Sequence, residues 1–103
     1  MLTKEGMSLF DEALRARLAA QQKELKLSDK ALGQIAFQFM GNPLGKVRSI
    51  LIAQGSGEDK KPQNIRTADL YNMCQALGLN FYNEVRAAAT IAEKQQGKKQ
   101  SPS

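Results

Sequence analysis

The sequence predicts an all-α fold of five short helices. Apolar residues recur at three- and four-residue spacing in five stretches. No stretch alternates apolar and polar residues as a half-buried strand does. Capping residues, Pro and Gly stand at the junctions between the periodic stretches. At 103 residues the chain is one small domain, and its 42% hydrophobic content suffices for a single core. Aromatics make up 6% and Trp is absent, so that core is expected to be aliphatic and Ala-rich.

The first helix is expected over about residues 8–25. Ser8 is a good N-cap, and Asp11 and Glu12 suit the positive end of the helix dipole. Phe10, Leu14 and Leu18 form its apolar stripe, which Leu25 extends. The second helix is expected over about 29–39, capped by Ser28, with Leu32, Ile35, Ala36 and Phe39 as its inward set. Asn42-Pro43 opens the third. Asn is a preferred cap, and Pro at the first helical position gives up an N–H that has no helical partner there. Gly55 is placed to close this helix at about residue 54, with Leu44, Val47, Ile50 and Leu51 on one side.

Residues 55–65 have turn composition and predict a long surface loop. The fourth helix is expected over about 67–77, with Leu70, Met73, Cys74 and Leu77 inward and Gly78 ending it. Asn80 caps a fifth over about 81–94, lined by Phe81, Val85, Ala88, Ala89 and Ala92. From Gln95 the composition is Gln, Gly, Lys, Ser and Pro. It predicts a disordered basic tail over 95–103 behind a domain of residues 1–94.

The residue counts exclude several chemistries. There is no His, so imidazole acid/base catalysis, His-dependent nucleophiles and His metal sites have nothing to work with. The single Cys74 forms no intramolecular disulfide and no Cys-rich zinc site. On an apolar helix face it reads as a small core residue. No carboxylates pair at a readable spacing, and Gly55-Ser56-Gly57 follows no strand. Neither an enzyme, a metal nor a cofactor is expected. No apolar run approaches the roughly 18 residues of a membrane span, and Met1 to Gly6 lacks an apolar leader segment. A cytoplasmic protein without membrane contact is the expectation.

Charge is unevenly spread. Fifteen Lys and Arg face ten Asp and Glu, a net charge of +5. Residues 1–25 balance, with four of each sign, whereas residues 26–66 carry seven basic and three acidic groups. The excess therefore sits on the second and third helices and the loop that follows them. A charge run is often just a solvated face. Two short helices joined by a turn within that basic segment, about residues 28–54, point to a helix-turn-helix on duplex DNA. Phosphates attract Lys and Arg whatever the base sequence, and the N–H groups at a helix start can meet a phosphate.

Leu27-Ser28-Asp29-Lys30-Ala31-Leu32-Gly33-Gln34-Ile35-Ala36 resembles the opening of the helix-turn-helix in the phage lambda repressor/Cro-like family, with Gly33 and Ala36 as small residues at the helix contact. Val47-x-x-Ile50-Leu51 resembles the buried side of that family's recognition helix. Asp69-Leu70-x-x-Met73-Cys74-x-Ala76-Leu77-Gly78-Leu79-Asn80 resembles its fourth helix, and Asn80-x-x-x-Glu84-Val85 the start of its fifth. The resemblance covers about residues 8–90.

It implies a DNA-binding transcriptional regulator, of the phage or plasmid repressor or antitoxin kind, acting on double-stranded DNA as a homodimer. An antitoxin would add a toxin as protein partner. The positions it implies for DNA contact are Ser28 and Lys30 on the second helix and Asn42, Leu44, Gly45, Lys46, Arg48 and Ser49 on the third. Lys60, Lys61 and Arg66 lie in or beside the loop, where they hold phosphate or are simply solvated. The chain departs from the family pattern in having Asp29 where a DNA-contacting Gln is usual. Its link from Phe37 to Pro43 is longer, and its third helix is poor in donors at Leu44, Gly45 and Ser49. Those departures suit an alternative, a helical protein-interaction module that keeps the fold without reading DNA. Tyr71 and Tyr82 are expected near a dimer contact, with the fifth helix contributing its Tyr82 side.

Overall fold

A computed structural model of the chain describes residues 1–51 and 65–100, with side chains through Gly97. The described residues form five helices: α1 Lys4–Glu24, α2 Asp29–Ala36, α3 Pro43–Leu51, α4 Thr67–Leu77 and α5 Phe81–Gln100. The all-α expectation holds. None of these helices is long and apolar enough to cross a membrane. The expected Gly55 cap of the third helix, most of the 55–65 loop, Lys60 and Lys61 lie outside the described residues.

The two long helices, α1 and α5, share the largest contact between elements, and α2 packs on α3. The core lies where these two pairs meet α4. Leu14 and Leu18 from α1, Leu32 from α2, Val47 from α3, and Met73, Cys74 and Leu77 from α4 are each at most 2% exposed. Ala88 and Ala92 present the inner face of α5. Their methyl groups let α5 lie close to the other helices, as the Ala-rich composition foretold. Gly78 ends α4 in the left-handed region at φ 71°, with the Leu79 N–H donating to Cys74 O at 2.8 Å.

Three boundaries differ from the sequence expectation. α1 begins at Lys4, four residues before Ser8, because Thr3 provides the cap. Its hydroxyl accepts from the Gly6 N–H at 3.0 Å. α2 stops at Ala36. Phe37 leaves the helix at φ −135° and turns into the core at 1% exposure, while Phe39 stands 72% exposed. The helical register that placed Phe39 inward does not extend that far, and Ile35 is also exposed, at 55%.

The third difference corrects the tail. α5 continues to Gln100, and Gln96 is buried at 8% exposure. The Gln96 side-chain carbonyl accepts from both the backbone N–H and the hydroxyl of Thr3, at 2.9 and 3.0 Å. Its amide donates to Met1 O at 2.8 Å. A Cβ at Gly6 would collide with the Gln96 carboxamide, so glycine leaves room for this clasp. Farther along the same helix pair, Arg17 binds Glu84 through two hydrogen bonds, Nε to Oε2 at 2.9 Å and Nη2 to Oε1 at 3.2 Å. These bonds hold the Arg17 guanidinium above its ordinary range.

Candidate nucleic-acid interface

The short helices α2 and α3 depend on their neighbours. Eight and nine residues are too few to be stable alone in water. Ser28 Oγ starts α2 by accepting from the Ala31 N–H at 3.0 Å, and Asn42 Oδ1 starts α3 by accepting from the Gly45 N–H at 3.0 Å. The helices meet at Gly33. A Cβ there would lie 2.8 Å from both the carbonyl carbon and oxygen of Pro43, so the approach requires glycine. Ala36, the other small residue expected at this contact, is buried.

Polar ties from α1 and α4 then fix the pair on the rest of the fold. Asn72 of α4 donates to Ala36 O at 3.1 Å, the carbonyl end of α2. The buried Arg15 of α1 donates from Nε to Ile50 O at 3.1 Å, where the carbonyl end of α3 favours a cation. Lys46 Nζ sits 2.8 Å from Asp69 Oδ2 of α4 and 6.0 Å from the centre of the Phe37 ring.

The expected contact residues therefore part company. Ser28, Lys30, Asn42 and Arg48 are exposed, and Arg66 is exposed just before α4. Leu44, Gly45 and Ser49 are half-buried, and the Ser49 hydroxyl donates back to Lys46 O at 2.8 Å. Lys46 does not lie on the open arc of α3 with Arg48. Its side chain is 24% exposed and faces α4, where it binds Asp69. Sequence reasoning missed Asp69, Arg15 and Asn72 as supports of this pair. Each is polar and lies far from α3 in the chain, so no periodic signal marks it.

Asp29 is more than a misplaced negative charge. Its Oδ1 accepts from Gln22 Nε2 at 2.7 Å, and its Oδ2 lies 3.6 Å from Arg48 Nε. The acid at the start of α2 thus holds the exposed cation of α3.

Elsewhere the chemistry is sparse. Burial, with a lesser push from Glu84, raises the Cys74 thiol to about 11, so it is protonated near neutrality. Among the described residues no group of three or more Cys, Asp or Glu side chains is placed to hold a metal ion. Ile35 and Phe39 line a shallow depression with Asn72, Gln75 and Ala76 between α2 and α4. No family model, curated protein or solved structure matches the chain.

Proposed function

We propose that the protein is a small sequence-specific DNA-binding regulator that lays α2 and α3 on duplex DNA as a helix-turn-helix. The observation that supports this reading is the α2–α3 crossing. The two helices approach closely at Gly33 and Pro43, each begins at a polar cap, and Ser28, Lys30 and Asn42 stand exposed at those starts. A helix start offers unpaired N–H groups to phosphate, and a second helix braced on the first is narrow enough for the major groove.

In this reading Lys30 and Arg66 neutralise phosphate, Arg48 projects from α3 towards the duplex, and Leu44, Gly45 and Ser49 offer small, weakly discriminating contacts. Lys46 contributes through its tie to α4. Two copies on a two-fold site would offset the few base contacts of one. Tyr82, 76% exposed and stacked edge-on against Phe81, offers apolar area for that pairing. Occupancy of an operator would regulate transcription in the manner of a phage or plasmid repressor. An antitoxin role would add a toxin as partner.

The test is selection of genomic fragments by the purified protein, followed by sequencing and a salt titration. Enrichment of a palindrome, with affinity falling steeply as salt rises, is the expected result. Recovery no better than from an uncoated support at low salt would defeat the reading. It would favour a helical protein-interaction module. That second reading has its own support in the exposed Ile35, Phe39, Tyr71 and Tyr82 and in the pairing of both α3 cations with acids.

A further inference from the structure

We propose that Asp29 is a positioning residue that aims Arg48 at a guanine in the major groove. The inference rests on the DNA-binding reading and deepens it by naming the base reader. On positions alone, Leu44, Gly45 and Ser49 leave α3 without a strong base-reading side chain. Arg48 is the exception on this helix. Its guanidinium carries five N–H donors in a planar fork, and its terminal edge matches the O6 and N7 acceptors of guanine.

An exposed arginine has much rotamer freedom, and pointing it costs entropy. Here Nε faces Asp29 Oδ2 at 3.6 Å, with the Arg48 side chain 59% exposed and that of Asp29 34% exposed. Asp29 is itself held from the other side, since Gln22 Nε2 donates to its Oδ1 at 2.7 Å. The chain of contacts runs from α1 through Asp29 to Arg48. It anchors the guanidinium near Nε and leaves the outer edge for an acceptor.

Asp29 has no need to be acidic merely to start α2, because Ser28 already supplies the cap. Its charge also opposes phosphate nearby, a cost that a neutral residue would avoid. The anchoring of Arg48 offsets that cost by restricting which base sequence is accepted, since wrong bases leave the oriented fork unpaired.

The experiment compares affinity for a duplex recovered by the genomic selection with affinity for its scrambled counterpart. It uses the unaltered protein, Asp29→Asn and Arg48→Lys. Both variants are expected to lower the site-to-scramble ratio about tenfold, the scale of one bidentate base contact. They should part on the scrambled duplex. Asp29→Asn should bind it more tightly, having lost a negative charge, whereas Arg48→Lys should bind it unchanged. Replacing one guanine of the site by 7-deazaguanine, which lacks the N7 acceptor, should weaken the unaltered protein and leave Asp29→Asn indifferent.

A ratio that stays constant in Asp29→Asn while both affinities rise would mean that Asp29 is simply a repelling charge. Indifference of the unaltered protein to 7-deazaguanine at every guanine would also overturn the assignment. Either outcome leaves DNA binding intact. Absence of any duplex binding by the unaltered protein is the separate failure of the reading beneath it.

Discussion

The α1–α5 pair and the α2–α3 pair are held by different means. The outer pair is long. Alanines line its contact, and its polar groups close on each other, as in the Gln96–Thr3 clasp and the Arg17–Glu84 bridge. The inner pair is short, meets at a glycine, and is tied by single polar contacts to α1 and α4. One pair is secured by extent of burial, the other by a few placed groups. The pair that carries the candidate interface is thus the one whose geometry depends on individual side chains.

The core common to both pairs should be the costliest place to cut. Leu77 is 1% exposed, and Leu77→Ala should cost about 2–5 kcal/mol, the range for a buried leucine that leaves a cavity. Urea denaturation measures it, and an unchanged midpoint would mean that α4 does not bridge the pairs. Gly33→Ala comes next, at about 1–3 kcal/mol, because the added methyl meets Pro43 backbone that has little room to retreat. Amide exchange should quicken in α2 and α3 and change little in α1 and α5. Uniform quickening would erase the contrast between the pairs.

Gln96→Ala reverses the pattern at smaller cost. It removes the acceptor of the Thr3 N–H and hydroxyl, each hydrogen bond being worth about 1 kcal/mol. Faster exchange should be confined to the start of α1 and the end of α5. Protection identical to the parent would show the clasp to be idle. One further effect is confined to high pH. Cys74 is raised from 9.0 to about 11 in the fold, so the native state keeps a proton that the unfolded chain releases. Stability from this source is intact below pH 9 and is lost as pH climbs towards about 11. Urea midpoints of the parent should fall more over that window than those of Cys74→Ala, and parallel curves would refute it.

Much of the fold was legible in the sequence because burial leaves a period. The inward set of α4, Leu70, Met73, Cys74 and Leu77, is wholly buried, and Gly78 is left-handed. The misses have common causes. Ser8 and Thr3 are both good caps by residue type, and what favours Thr3 is Gln96, 93 positions away. Gln96 itself sits in a stretch too polar to suggest docking. Phe39 continued the α2 stripe on paper, but Phe37 took the core position once the helix ended. Lys46 was expected to contact DNA because nothing in its own helix reveals Asp69 opposite it. The α2–α3 contact was legible through its small residues, whereas the Asp29–Arg48 pairing was not. The sequence placed Arg48 at the DNA and Asp29 in a DNA-contacting position, with nothing to show that the two meet.

Thr3 and Gln96 stand 93 positions apart. The start of α1 thus waits on a partner that a ribosome makes 93 residues later. During synthesis α1 has its own hydroxyl cap but not the group that pins that cap in place. Joining ends so distant in sequence carries a loop-closure penalty, met when the intervening helices have already shortened the gap. Docking of α5 on α1 is therefore expected to follow the packing of the helices between them, and it leaves the start of α1 and the last turns of α5 protecting each other from fraying.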